Sequence, residues 1–216
     1  VYEELFFLQL RLILLKRNYH KPVLKPYVID HQMQLYESRL PFDLTESQKK
    51  VMTDIFEDMK SGYSMNRLIQ GDVGSGKTVV AFLTLLAAVA NNMQGILVAP
   101  TTLLAEQHYE NFKTLYPEIA SCLLTSNISA AEKRKLKAAM NSGEIKDVIG
   151  THAVLQDDVT FQSLGVVVTD EQHRFGIRQR LQALQKSERP HALIMSATPI
   201  PRTLSLSPSW TLYLYD

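Results

Sequence analysis

Apolar and polar residues are distributed along most of the chain in segments that predict helices and strands in turn. Short β-branched or apolar runs, such as residues 166–168, predict strands covered on both faces, and longer Ala- and Leu-rich or amphipathic runs predict helices. The predicted helices span residues 45–60, 77–91, 102–115, 129–142, 152–156 and 176–186. The predicted strands span residues 65–70, 94–99, 120–125, 146–150, 164–169 and 191–196. This alternation predicts an α/β fold, with a mostly parallel sheet that helices cover on both faces.

The first forty residues show a different pattern. Residues 1–18 predict an amphipathic helix whose apolar stripe is interrupted by charged residues, which argues against a signal peptide or a membrane anchor. Residues 21–40 contain Pro22 and Pro26 and predict a connector with one short helix near residues 31–39. We therefore expect residues 1–40 to form a helical linker from an upstream domain and residues 41–204 to form the main domain.

Composition narrows the class of protein only slightly. The 216 residues are 45% hydrophobic and 21% charged, which is typical of a globular domain. The formal net charge of +1 means that any nucleic-acid surface must be a local patch. Cys122 is the single cysteine, which excludes an internal disulfide and a CxxC metal site and favours a cytoplasmic location.

A phosphate-binding pattern, GxxxxGK[ST], lies between a predicted strand and a predicted helix. Its glycines allow main-chain N–H groups to approach phosphate, and the following helix adds the positive end of its dipole. Lys77 would contact the β- and γ-phosphates during catalysis, and the Thr78 hydroxyl would bind Mg²⁺. The alternative is a glycine-rich turn that caps an ordinary helix. The pattern predicts ATP and Mg²⁺ as cofactors, and the nucleotide-binding residues are Gly71, Asp72, Val73, Gly74, Ser75, Gly76, Lys77 and Thr78.

A pair of acids follows the predicted strand 164–169. Open α/β sheets bind their ligands at the carboxyl ends of the strands, where Asp170 and Glu171 lie. Asp170 would hold Mg²⁺, directly or through water, and Glu171 would orient and deprotonate the attacking water. A solvated acidic pair is the alternative for this segment alone. Combined with the phosphate loop, the pair predicts hydrolysis of a nucleoside triphosphate.

Residues 42–48, Phe-Asp-Leu-Thr-Glu-Ser-Gln, resemble the adenine-binding motif of the superfamily 2 helicases. In that family the aromatic ring stacks on the base and the glutamine amide hydrogen-bonds to the adenine edge. The resemblance therefore implies that Phe42 and Gln48 contribute to ATP binding. The alternative is the start of an ordinary capped helix.

Two more segments are similar to coupling motifs of the same superfamily. Residues 170–173, Asp-Glu-Gln-His, are similar to its DExH box, and residues 196–198, Ser-Ala-Thr, are similar to the motif on the next strand. The resemblance implies that Gln172 and His173 act with Ser196 and Thr198, so that loss of the γ-phosphate is transmitted to the nucleic-acid track.

Two further segments follow the predicted strands 94–99 and 146–150. Both resemble family segments whose hydroxyls and helix N-terminal amides hold the phosphates of a strand without base recognition. Plain helix N-caps after strands are the alternative, and the sequence leaves it open. The DNA-binding residues that this resemblance implies are Thr101, Thr102, Gln107, Thr151 and His152.

The sequences of residues 71–81, 170–176 and 195–203 resemble the motifs of the RecG-type ATP-dependent DNA helicases. The resemblance covers about residues 40–203. It implies a RecA-like first motor domain with duplex or branched DNA as its partner, in a protein that remodels replication forks and Holliday junctions. It also implies a wedge domain before Val1, a second motor domain after Asp216 and no membrane association. Residues 205–216 do not resemble the family's continuation, because Pro208 would end the expected helix.

Three other classes of protein share part of this pattern. A transcription-repair coupling translocase or an RNA helicase would use the same motor. A nucleotide-gated binding module would bind ATP without turnover. A kinase or a transporter-type P-loop protein is disfavoured, because neither needs the Gln48 segment or the strand end at Ser196.

Overall fold

Parallel strands in a single sheet form the centre of the computed structural model, which describes residues 25–170, 190–197 and 211–214. The sheet order is β3-β4-β2-β5-β6-β1-β7, and every neighbouring pair is parallel. The strands are β1 (Asn66–Gly71), β2 (Gln94–Val98), β3 (Ser121–Leu124), β4 (Asp147–Gly150), β5 (Leu164–Asp170), β6 (His191–Ser196) and β7 (Thr211–Leu214).

The helices that cover this sheet lie close to their predicted positions. They are α1 (His31–Glu37), α2 (Glu46–Lys60), α3 (Lys77–Ala90), α4 (Thr102–Leu115) and α5 (Ala130–Asn141), with a short 3₁₀ helix η1 (His152–Leu155). The predicted α/β fold is confirmed. The predicted helices at residues 1–18 and 176–186 lie outside the described residues.

Two hydrophobic cores, one on each face of the sheet, explain why the central strands are apolar throughout. Along β2, Leu97 belongs to the core that includes α3, whereas Ile96 and Val98 belong to the core beneath α5. Successive side chains of a strand point to opposite faces of the sheet. When helices cover both faces, both sets of side chains are buried and therefore apolar. Helix α3 is buried along residues 80–88, as expected for a helix that is apolar on all sides.

Residues 25–40, which the sequence analysis assigned to a linker, pack against the main domain. The Tyr27 N–H donates to the carbonyl of Met59 at 3.1 Å, and the Tyr116 hydroxyl donates to the carbonyl of Tyr36 at 3.2 Å. Tyr27, Met33 and Tyr36 are all buried. These buried side chains and main-chain hydrogen bonds supply contacts that the proline-rich connector pattern did not indicate.

The sequence analysis predicted no element in residues 205–216, but Thr211–Leu214 form the edge strand β7 beside β1. Its alternating Thr-Leu-Tyr-Leu pattern has the two-residue period of a strand. A Cβ added at Gly71 would lie 2.7 Å from the carbonyl oxygen of Leu214, so the glycine allows this close approach. Pro208 lies outside the described residues.

Asp147 should make the stability of the fold depend on pH. It is fully buried at the start of β4, neither carboxylate oxygen has a hydrogen-bond partner among the described residues, and burial raises its pKa to about 8. Its pKa is near 3.9 in an unfolded chain, so folding takes up a proton between these values and stability falls as pH rises towards 8. Burial also lowers the pKa of His191, to about 4. The imidazole is therefore protonated more readily in the unfolded chain, which lowers the free energy of unfolding only below about pH 6.5.

We therefore expect the free energy of unfolding to fall by about 1 kcal/mol per pH unit between pH 6.5 and 8, less steeply towards pH 8 because the folded carboxyl group is then half ionised. The uncharged variant Asp147→Asn should lose this slope, as measured by urea denaturation of the 216-residue chain. The matched control Asp157→Asn changes an exposed carboxylate and should keep the slope. Equal slopes in wild type and Asp147→Asn would show that Asp147 is not protonated in the folded protein.

Candidate nucleotide-binding site

The loop between β1 and α3 has the backbone geometry of a phosphate cradle. Gly74 and Gly76 have φ angles of 89° and 82°, in the left-handed region that favours glycine. A Cβ at Gly74 would meet no atom within 4 Å, so the main chain is open on that side. Gly76 is the N-cap of α3 and offers no side-chain cap, which leaves the positive end of the helix facing the loop.

Lys77 lies over this loop. Its Nζ donates hydrogen bonds to the carbonyl oxygens of Gly71 at 2.7 Å and Asp72 at 2.6 Å, and lies 3.4 Å from the Ser75 hydroxyl. The ammonium group is thereby held at the mouth of the cradle. A phosphate oxygen bound there could replace a carbonyl as the acceptor of a charge-assisted hydrogen bond.

Gln48 ties the start of α2 to the same loop. Its Nε2 donates to the carbonyl of Ser75 at 3.0 Å, and its Oε1 accepts from the N–H of Thr45 at 3.0 Å in a capping box. A Cβ at Gly76 would lie 2.2 Å from this Nε2, so the glycine is needed for the contact. Both polar ends of the amide are therefore bonded to protein, and contact with an adenine edge stays a prediction. Phe42, the predicted stacking residue, is 50% exposed.

Asp170 lies at the same edge of the sheet as the phosphate loop. Strand β6 separates β5 from β1, with Asp170 beside Met195 and Gln70 beside Ser196. Because all three strands are parallel, their carboxyl ends coincide, and two strand spacings put the ends of β5 and β1 roughly 10 Å apart. Triphosphate and metal can bridge a gap of this size.

His108 is a site residue that the sequence analysis missed. Its Nε2 lies 2.9 Å from Oδ2 of Asp170, and the two side chains are only 8% and 16% exposed. A carboxylate can only accept a hydrogen bond, so the imidazole N–H donates. Ala105, His108 and Phe112 share the buried face of α4, and this helical spacing was the available clue that His108 points inward.

The residues at the edge fit a magnesium nucleotide. Thr78 and Asp170 supply a hydroxyl and a carboxylate, which are hard oxygen ligands that suit Mg²⁺. Within the described ranges, no group of three or more His, Cys, Asp or Glu side chains could hold a metal. Mg²⁺ commonly binds through one or two protein ligands together with phosphates and water, so two protein ligands are sufficient here.

The coupling residues are only partly described. Ser196 is buried at the end of β6, directly between the strands that carry the phosphate loop and Asp170. The other predicted members of this group lie outside the described residues: Glu171, Gln172, His173 and Thr198. Their roles stay predictions.

The predicted DNA-binding residues follow β2 and β4, which are neighbours in the sheet. Thr101 caps α4 by accepting from the N–H of Leu104 at 3.2 Å, and Thr102 is half-buried. The hydroxyl of Thr151 is buried and has no hydrogen-bond partner among the described residues. Gln107 and His152 are exposed. The structure brings the two segments to one edge, and the cap at Thr101 agrees with the alternative that the sequence left open for that residue.

Comparison with known proteins identifies the class of this domain. Residues 45–206, more than half of the chain, match the family model of the DEAD/DEAH box helicases, so the chain belongs to the DEAD/DEAH box helicase family. Helicases of this family use a nucleotide, in agreement with the cradle and Asp170.

Within that class the chain is similar to RecG proteins over nearly its whole length. It is 45% identical over 209 residues to the ATP-dependent DNA helicase RecG of Streptococcus pneumoniae serotype 4 (95% of this chain, 31% of the relative). It is 44% identical over 215 residues to RecG of Synechocystis sp. (96% and 25%). A solved structure of RecG bound to a three-way DNA junction matches with a TM-score of 0.84 and 39% identity, over 99% of this chain and 30% of that one. The resemblance to RecG is confirmed, and the chain spans less than a third of these relatives.

Among the residues that the structure describes, every helix is too short or too polar to span a membrane.

Proposed function

We propose that the chain is the first motor domain of a RecG-type helicase, which binds ATP·Mg²⁺ and uses its hydrolysis to move on branched or duplex DNA. The observation that carries this proposal is the position of the phosphate loop and Asp170 at one edge of a parallel sheet. The relatives are named ATP-dependent DNA helicases, and one of them was solved with a three-way junction. Forks and junctions are therefore the proposed substrates.

Each group of residues at the carboxyl edge of the sheet would have a separate role in hydrolysis. The cradle amides and Lys77 bind the β- and γ-phosphates and stabilise the charge that develops on them. Thr78 and Asp170 orient Mg²⁺, which neutralises phosphate charge when bound. Glu171 takes a proton from the attacking water, whose oxygen bonds to the γ-phosphorus as the bond to the β-phosphate oxygen breaks.

Coupling to DNA would use the neighbouring strand ends. Ser196 lies between the phosphate loop and Asp170, so a change on either side reaches it through adjacent strands. We propose that Gln172 and His173 act with Ser196 and Thr198 in this step. Thr101, Thr102, Gln107, Thr151 and His152 are the proposed contacts to DNA phosphates.

The isolated chain should bind nucleotide but hydrolyse it slowly. An arginine supplied from a partner domain increases the rate of NTP hydrolysis by about 10³ to 10⁵, and we place that arginine in a second motor domain of the same protein. A wedge domain would supply fork recognition. We also propose that the protein is located in the cytoplasm.

The substrate can be tested by nucleic-acid stimulation of ATP turnover in the full-length protein. We expect forked DNA to stimulate turnover more than linear duplex of equal length, and RNA to stimulate it least. The 216-residue chain should bind the nucleotide with little stimulation and no unwinding. Stimulation by RNA above DNA would favour an RNA helicase, and equal stimulation by forked and linear duplex would favour a coupling translocase.

A further inference from the structure

His108 and Asp170 form a buried pair between a helix and the central sheet. Their atoms Nε2 and Oδ2 are 2.9 Å apart, and both side chains are almost enclosed by protein. A hydrogen bond in such a water-poor place has well-defined geometry, because solvent offers neither partner an alternative. Among the residues that the structure describes, only the Oδ2 oxygen has a hydrogen-bond partner, which leaves Oδ1 of Asp170 for the metal or a water on it.

Aromatic packing fixes the imidazole ring in this position. The ring of Phe82, on α3, lies 6.4 Å from that of His108 at an interplanar angle of 85°. Phe82 in turn packs edge-to-face on Phe112, with the ring centroids 5.1 Å apart. His108 therefore cannot turn away from Asp170 without disturbing the core that includes α3, whose first residues form the phosphate site.

The helix that carries His108 begins at a predicted DNA contact. Helix α4 runs without interruption from Thr102, directly after its cap Thr101. His108 is six residues further along, a rise of about 9 Å at 1.5 Å per residue. A displacement of the Thr101 end by a DNA strand would move the imidazole as part of the same rigid element.

We propose that His108 is a positioning residue: it orients the Asp170 carboxylate towards Mg²⁺ and makes metal-dependent nucleotide binding respond to DNA on α4. This inference rests on the proposed function and adds a second connection between the DNA and nucleotide sites, separate from the one through His173. Carboxylates that bind metals are themselves hydrogen-bonded, and loss of such an outer partner typically lowers metal affinity 10–100-fold.

A purely structural histidine would behave differently. If His108 only filled the core, its replacement would lower stability and weaken nucleotide binding equally with and without metal. Orientation of Asp170 instead affects only the part of the affinity that the metal contributes. The two roles therefore differ in a binding measurement that involves no turnover.

The test measures the affinity of the full-length protein for a fluorescent, non-hydrolysable ATP analogue, once with Mg²⁺ and once with EDTA. In His108→Leu we expect the gain in affinity due to Mg²⁺ to fall at least tenfold, with the EDTA value unchanged. His108→Gln places an amide N–H near the position of Nε2 and should restore most of the gain. Glu110→Ala, an exposed change on α4, should match wild type.

A second arm adds forked DNA to the same titrations. We expect DNA to change the Mg²⁺-dependent affinity of wild type at least threefold and to leave that of His108→Leu unchanged. A thermal melt checks that each variant is folded. If the Leu and Gln variants lose the Mg²⁺-dependent gain equally, or if His108→Leu binds and responds like wild type, the inference is overturned. Absence of Mg²⁺-dependent binding in wild type would instead overturn the proposed function.

Discussion

Replacing Lys77 with methionine should reduce ATP turnover roughly 10²–10³-fold, the effect of removing one preorganised donor from a developing charge. Methionine keeps an unbranched stem of similar length but removes the ammonium group that lies over the cradle, bonded to the carbonyls of Gly71 and Asp72. Nucleotide affinity should also fall at least tenfold, because a hydrogen bond to a charged group contributes about 1.5–3 kcal/mol. Turnover is measured with the full-length protein and affinity by titration of a fluorescent nucleotide.

Lys60→Met provides the matched control, since Lys60 is an exposed lysine at the end of α2. It should turn over ATP like wild type. A Lys77→Met protein that is folded by thermal melt and hydrolyses ATP at the wild-type rate would mean that the loop does not bind the reacting phosphates.

Replacing Glu171 with glutamine should strongly reduce turnover while leaving nucleotide binding intact. Glu171 directly follows Asp170 at the end of β5, and glutamine keeps its shape but cannot accept the proton of the attacking water. General-base catalysis contributes about 10²–10⁴-fold, so turnover in the full-length protein should fall by that factor. Nucleotide affinity, measured by titration, should change less than threefold.

This variant also separates a motor from a nucleotide-gated binding module. Unchanged turnover in Glu171→Gln would show that hydrolysis does not depend on this acid and would favour the module. Glu144→Gln changes an exposed glutamate elsewhere on the domain and should leave turnover unchanged.

The order of the elements could be predicted because it depends on local pattern. The β-branched run at residues 166–168 indicated a strand buried on both faces, and the structure places it in β5, flanked by β2 and β6. The phosphate loop and Asp170 could likewise be placed at one edge, because parallel strands align their carboxyl ends. Both inferences needed only the spacing of residue types.

Contacts between distant segments could not be predicted in the same way. His108 and Asp170 are 62 residues apart, and the helical period of α4 shows that His108 points inward without naming its partner. Gln48 and the Ser75 carbonyl are 27 residues apart, and that bond became visible only when the loop and α2 were placed together. Tyr27 and Asp147 were missed because their burial depends on packing across several strands and helices.

A crystal structure of the chain with Mn²⁺ and a non-hydrolysable ATP analogue tests the central claim most directly. The anomalous signal of Mn²⁺ should lie beside the Thr78 hydroxyl and the Asp170 carboxylate, with the triphosphate along the amides of residues 71–78. Nucleotide or metal bound at another place on the domain, with this edge of the sheet empty, would contradict the account.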